Sequence, residues 1–246
     1  MMDASGSHQA NRQYYDAFSE NYEAERGKNS VKGYHDMLDE LEAEFVQRYG
    51  EGKDVLEVGC GTGLVLERIA RFAKSCRGID LSPGMLARAR ERGLDVSEAS
   101  ATELPFENDS FDVCCSFKVL AHIPAISTAL GEMARVTRSG GIVIAEFYNP
   151  NSIRGLLKRY GPAGRVAAHA KESDVFTRFD APETVARMAP PGTRFVDSRG
   201  VRIVTPSASV MRLRPVGRLL RRAEGWLADS RLKRFGGFYI AAFRKD

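Results

Sequence analysis

The stretch VLEVGCGTGL, Val55 to Leu64, decides how this chain reads. An apolar run carrying one carboxylate, Glu57, enters a turn with glycines at Gly59, Gly61 and Gly63. A strand that feeds a glycine turn brings bare backbone close to a ligand. The spacing excludes two common ligands. A dinucleotide turn of the GxGxxG type needs glycine at position 64, where Leu64 stands. A phosphate loop needs Lys followed by Ser or Thr after its last glycine, and neither follows Gly63. Glu57 would also repel a phosphate and instead suits a ligand with positive charge or hydrogen-bond donors.

Upstream of this stretch, apolar residues at Met37, Leu38, Leu41, Phe45, Val46 and Tyr49 predict an amphipathic helix. Downstream, residues 64–74 predict a helix and SCRGID a strand ending at Asp80. Ser82 is then an N-cap, Pro83 a first helical residue and Gly93 a stop. LDVSEAS and FDVCCSF predict strands; Ile126, Leu130, Met133 and Val136 mark a helix face; IVIAEF predicts a fifth strand. Strands alternating with helices predict an α/β, doubly wound, mostly parallel sheet. Beyond Asn149 the pattern loosens: NSIRGLLKRYG predicts a helix, while TRFVDSRGVRIVTP and GGFYIAAFRK predict two late strands, antiparallel and close to the sheet. Val216, Leu219, Leu220, Ala223, Trp226 and Leu227 have helical spacing between those strands.

At 246 residues the chain can bury a full core, and 43% hydrophobic with 28% charged residues is the balance of a soluble globular protein. No apolar run approaches the length of a membrane span, and the polar N-terminus does not read as a secretory signal. None of Cys60, Cys76, Cys114 and Cys115 forms a CxxC pair, so a reduced, cytoplasmic protein is expected. No metal-ligand spacing occurs. The net charge of +4 is unevenly placed: Pro206 to Gly236 holds eight basic residues and two acids. That segment invites a nucleic-acid or weak membrane-surface role, against the plainer reading of a helix with solvated arginines.

S-adenosyl-L-methionine answers the demands of the opening stretch, with an ammonium, a sulfonium and ribose hydroxyls. VLEVGCGTG resembles the first motif of the class I S-adenosylmethionine-dependent methyltransferases, and GIDLSPGML their second. ATELPFENDSFDVCCS and RSGGIVIAE resemble the stretches around the fourth strand and before the fifth. The N-terminal YYDAFSENYE resembles the lid helix of small-molecule members, including the ubiquinone and menaquinone C-methyltransferases.

The resemblance implies a seven-stranded, Rossmann-like sheet with N-terminal lid helices and insertions after strands five and six. It divides the chain into a tail and lid at 1–36, a cofactor-binding core at 37–150, and pocket elaborations with the last strands at 151–246. It implies that Glu57 and the turn of Gly59, Cys60, Gly61 and Gly63 hold the methionine part, that Asp80 takes the ribose hydroxyls, and that Leu81 lies on the adenine. Ser100, Ala101 and Thr102 would border the adenine, with Ser100 standing where many members have Asp. Ser116 and Phe117 would flank the methionine end, with Tyr14 and Tyr22 closing from the lid. Tyr15, Phe18, His35, Tyr148 and Asn149 would line the substrate pocket. His122 would serve as base or substrate contact.

The implied activity is methyl transfer to an O, N or C atom of a small, partly apolar molecule: a quinone precursor, natural product or lipid. The alternatives are an RNA or protein methyltransferase using the basic segment, and a cofactor-binding protein without methyl transfer. Nucleic acid is disfavoured, because SFKV follows the fourth strand where amino-methylating DNA enzymes carry a Pro-Pro aromatic motif.

Overall fold

The computed structural model describes residues 33–152 and 176–246. In chain order the elements are α1 (Tyr34–Gly50), β1 (Asp54–Val58), α2 (Leu66–Ile69), β2 (Ser75–Asp80), α3 (Pro83–Glu91), β3 (Val96–Glu98) and β4 (Phe111–Ser116). They continue as α4 (Ile126–Val136), β5 (Thr137–Tyr148), α5 (Pro182–Val185), β6 (Thr193–Val201), α6 (Arg214–Leu227) and β7 (Phe238–Lys245), with short 3-10 turns at Leu120–His122, Val210–Arg212 and Arg231–Phe235. One seven-stranded sheet has the order β3-β2-β1-β4-β5-β7-β6. The pairs among β1 to β5 are parallel, and β7 runs antiparallel to both β5 and β6. The strand order reverses between β1 and β4, which opens a crevice at the carboxyl ends of β1, β2 and β4. The expected doubly wound, mostly parallel sheet with a late antiparallel pair is what the chain forms.

Alternation along the strands divides the core into two layers. Leu56, Cys114, Val143, Ala145 and Phe147 pack with Leu130 and Met133 of α4 on one face. Val55, Val113, Cys115, Ile142 and Ile144 pack with Met37, Leu38, Phe45 and Val46 of α1 on the other. The adjacent cysteines therefore point to opposite faces, and all four are free thiols. The same alternation puts Glu57, two residues past Val55, and Glu146, two past Ile144, on the α1 side. The sequence pattern gives these carboxylates the direction of core residues.

One element differs from expectation. The helix expected over residues 64–74 is α-helical only over Leu66–Ile69. It then tightens, with Arg71 N bonding Arg68 O and Phe72 N bonding Ile69 O, the shorter three-residue closure common at helix ends. Helix α3 follows expectation, with Pro83 in its first turn and the Ser82 hydroxyl accepting from Met85 N at 3.2 Å. Arg199 of β6, buried, donates to Asp229 at 2.8 and 3.1 Å, to Glu44 at 3.2 Å and to the Leu41 carbonyl at 2.9 Å, tying the outer strand to α1. Among the described residues no helix is long and apolar enough to cross a membrane.

Candidate functional site

The crevice at the strand ends is a cleft of about 1120 Å³, counting the part open to solvent. Its floor is the glycine turn. Gly59 N and Cys60 N both donate to the Ile79 carbonyl, at 2.7 and 2.9 Å, clipping the turn to the end of β2. Gly61 and Gly63 have φ of +53° and +83°, the left-handed region that side chains other than glycine adopt at a cost. The two differ in surroundings. A Cβ on Gly63 would lie 2.3 Å from Leu94 Cδ1, whereas a Cβ on Gly61 would meet nothing within 4 Å. Gly61 therefore presents open backbone to the cleft, while Gly63 lets the turn pack on α3 and Leu94 and does not line it.

Asp80 stands at the end of β2. Its Oδ2 accepts from Gly61 N and its Oδ1 from Ser82 N, both at 2.9 Å. Each carboxylate oxygen can accept a second bond, so Asp80 can hold the turn and still receive a diol. Leu81, Met85, Ile79 and Ala99 add an apolar wall, and Ser100, Ala101 and Thr102 continue it. The Ser100 hydroxyl lies 2.8 Å from that of Thr102 and accepts from Thr102 N at 3.2 Å, so it is used within its own turn.

The opposite wall is charged. Asp39 and Glu42 of α1, Glu57 of β1 and Lys118 after β4 line the cleft, and Glu146 lies behind them. Lys118 Nζ reaches Glu42 Oε1 at 2.7 Å, Glu42 Oε2 at 3.0 Å and Asp39 Oδ1 at 3.2 Å, and its backbone N donates to Glu146 Oε1 at 3.1 Å. Lys118 has a positive φ of 59°, a conformation uncommon outside glycine. The four carboxyls are almost wholly buried, and one ammonium cannot balance them all if they ionise. Burial, then Glu42 and Asp39, push the Glu57 carboxyl well above the usual carboxylate range, with Lys118 pulling the other way. Burial, then Glu42, do the same to Glu146. Glu57 is 2% exposed and its Oε2 has no hydrogen-bond partner among the described residues. An orphaned, desolvated carboxylate beside open glycine backbone is a place for a cation with N–H donors. These residues fit S-adenosylmethionine: a diol acceptor, an apolar slot and an anionic pocket in one cleft.

His122 lies at the cleft edge in the Leu120–His122 turn. Its Nδ1 is 3.0 Å from the Phe176 carbonyl, which only accepts, so the neutral ring carries its proton there. Nε2 then faces the Tyr148 hydroxyl at 3.4 Å as an acceptor. Ile123 and Val119 extend the edge.

Several candidates sit elsewhere. Ser116 is buried and donates to the Val58 carbonyl at 2.8 Å, joining β4 to β1, while Phe117 does line the cleft. The Cys60 thiol packs against Leu66 and Leu86 although its residue borders the cleft, and burial pushes it above its ordinary range. Asn149 bonds the carbonyls of Arg234 and Gly236 at 2.8 and 2.9 Å, a structural use. His35 packs edge-on to Tyr34 and is not among the lining residues, and Tyr148 reaches the cleft only through His122. Tyr14, Tyr15, Phe18 and Tyr22, like most of the segment NSIRGLLKRYG, lie outside the described residues. Sequence reasoning did not single out Asp39, Glu42, Lys118 or Glu146. Its available signal was acids in apolar places: Glu42 falls within the Leu38–Phe45 stripe and Glu146 within IVIAEF.

A family model described as a methyltransferase domain matches residues 56–145. Over 106 residues the chain is 41% identical to the demethylmenaquinone methyltransferase of Mycobacterium marinum (strain ATCC BAA-535 / M), covering 43% of this chain and 46% of that protein. It is 36% identical over 106 residues to that of Mycobacterium tuberculosis (strain ATCC 25177 / H37Ra), covering 43% and 45%. The matched region thus spans about half the length of these curated relatives. Among solved structures, a SAM-dependent methyltransferase of Thermotoga maritima, described as a possible histamine N-methyltransferase, superposes with a TM-score of 0.65 at 19% identity over 96% of this chain and 99% of that one. The [4+2]-cyclase SpnF superposes with a TM-score of 0.65 at 23% identity over 97% and 96%. Residues 56–145 thus match a methyltransferase-domain family, in a chain whose fold is that of solved SAM-dependent methyltransferase structures.

Proposed function

We propose that this protein transfers a methyl group from S-adenosylmethionine to a small, partly apolar organic molecule. The observation that carries the reading is the orphaned Glu57 carboxylate facing a cleft whose floor is the open backbone of Gly61. When bound, S-adenosylmethionine supplies an electrophilic methyl on a sulfonium. The chain's residues do the rest. Glu57 and the acids around Lys118 attract the cationic end, the Gly61 backbone allows close approach, and Asp80 receives the ribose hydroxyls. Leu81, Met85 and Ala99 hold the adenine, bordered by Ser100, Ala101 and Thr102. Phe117, Val119 and Ile123 keep water from the reacting end, which direct displacement needs more than it needs acid–base help. For a hydroxyl or acidic carbon, His122 is the candidate base: its Nε2, which faces the Tyr148 hydroxyl, would take the proton, and the Nδ1 bond to the Phe176 carbonyl orients the ring. The curated relatives act on demethylmenaquinone by name, and a quinone precursor of that kind fits the apolar edge of this cleft. Four free thiols support a cytoplasmic, reducing setting.

Titration calorimetry with S-adenosylmethionine tests the premise. Binding at micromolar concentrations is expected, with Asp80→Ala weakening it about 10- to 100-fold through lost charge-assisted bonds. Heat indistinguishable from dilution would sink the reading. Labelled-methyl transfer into fractionated cell extract then identifies the acceptor by mass spectrometry. A second reading keeps the cofactor cleft and drops the transfer, because SpnF shows that this fold also carries a [4+2]-cyclase. Tight cofactor binding with no labelled product would favour it. The RNA reading is weakened because Arg221 and Lys233 of the basic segment are engaged within the molecule.

A further inference from the structure

We propose that the outward face of α6 docks on an anionic lipid surface, independently of whether the cleft transfers a methyl group. The helix has one face committed to the protein. Glu224, fully buried, accepts from the backbone N–H of Ile203, Val204 and Thr205 at 2.7–2.9 Å and from the Thr205 hydroxyl at 2.7 Å. Arg221 pairs with Asp36 and Glu40 of α1. These bonds hold the helix against the body and fix which side faces out.

That outer side is not an ordinary solvated face. Trp226 is 85% exposed and Leu219, two turns before it, 68%. Leu213, just before the helix, is 61% exposed, and Leu232 beyond it is exposed as well. Arg218 and Arg222 are one turn apart beside the Leu219–Trp226 row, both exposed and with no acidic partner among the described residues. The nearest acids on the neighbouring helix, Asp36 and Glu40, are already matched by Arg221 and, for Asp36, by Arg68. The face therefore offers an aromatic and aliphatic row flanked by unneutralised guanidinium groups. A tryptophan at the headgroup level, leucines below it and arginines against phosphates is the arrangement that seats a helix in a membrane interface. A nucleic acid would leave Trp226 and Leu219 facing phosphates and water. An isologous contact with a second copy would set Arg218 and Arg222 against their own equivalents.

The chain contains one tryptophan, so its intrinsic fluorescence reports this face alone. The full chain is titrated with phosphatidylcholine vesicles with and without phosphatidylglycerol. A blue shift of Trp226 emission, quenching by brominated acyl chains and co-sedimentation are expected with the anionic vesicles only, all reversed by salt. Arg218→Gln/Arg222→Gln is expected to lower the vesicle partition coefficient on the order of thirtyfold. Among the described residues neither arginine has a partner to lose, so the far-UV circular dichroism should stay unchanged. The proposal is overturned if emission ignores anionic vesicles, if neutral vesicles work equally well, or if the double variant binds as the parent does. It is also overturned if the emission shifts with protein concentration in the absence of lipid, which assigns the face to a second copy, or with RNA but not with vesicles.

Discussion

At the scale of single residues, the cleft's charged wall decides how stability and ligand binding trade against each other. Glu57 is protonated more readily in the folded chain than in the unfolded one. Its contribution is therefore intact below the ordinary carboxylate range and is lost as pH rises through its raised value. Glu57→Gln should raise the melting temperature of the ligand-free protein, more at pH 8 than at pH 5, by about 2–4 °C for each kcal/mol relieved. The same variant should bind S-adenosylmethionine more weakly; thermal melts across pH and calorimetry read the two effects separately. Lys118→Met should act in the opposite sense. It leaves Glu42 and Asp39 buried without their counter-charge, and urea unfolding should show a loss of about 3 kcal/mol. Glu42→Gln added to that variant should recover part of the loss, because the two residues are in contact. None of this was legible from position alone. Glu57 stood out beside the glycines, but its setting depends on Asp39 and Glu42 from a helix upstream and on Lys118 from beyond β4. Only the folded sheet brings Lys118 within 3.2 Å of Asp39 and Glu42 and sets all three around the same cleft as Glu57.

At the scale of elements, the turn after β1 separates two demands on glycine. Gly63→Ala should destabilise more than Gly61→Ala, since besides the strain of a positive φ its Cβ would force the Leu94 Cδ1 methyl to turn away and press on Ala89 Cβ at 3.3 Å. Gly61→Ala should cost only about 1 kcal/mol of backbone strain but should block the approach of a ligand. Denaturant melts set beside binding isotherms distinguish the two: Gly63→Ala loses stability first, and Gly61→Ala loses affinity first. The spacing of glycines was visible in the sequence, but not which of them faces the cleft, because that rests on Leu94 from beyond α3. The strands were read well wherever apolar runs met turn residues, as at SCRGID and IVIAEF. The helix after the turn was over-extended because RIARF keeps helical periodicity while its backbone closes in three-residue turns. Asn149 and Ser116 were read as pocket residues on position in the chain, and the structure uses their side chains to join the sheet to its neighbours.

At the scale of the whole molecule, two surfaces of opposite character lie on either side of α1. Asp39 and Glu42 look into the cleft, while Asp36 and Glu40 meet Arg221 of α6. A ligand that brings a positive charge into the cleft should bind more tightly at pH 8 than at pH 5, and its stabilisation of the fold should grow with that affinity. Saturation at a hundred times Kd is worth about 2.7 kcal/mol by mass action alone. S-adenosylmethionine should raise the melting temperature more at pH 8 than its demethylated product, which lacks the sulfonium charge, when each is present at the same multiple of its own Kd measured near pH 5. Equal shifts at pH 8 would remove the charged wall from the account of selectivity.

The sheet order has a consequence for how the protein is made. Strand β6 emerges from the ribosome before β7, yet its hydrogen-bonded neighbour in the sheet is β7, which lies between it and β5. Until Phe238–Lys245 has been synthesised, β6 lacks its partner strand, and Arg199 cannot be carried into its ion pairs with Asp229 and Glu44. The parallel half from β1 to β5 can assemble during translation, whereas the outer half must wait and then close as a unit. A nascent chain stalled just before β7 would expose the free edge of β5 to chaperones.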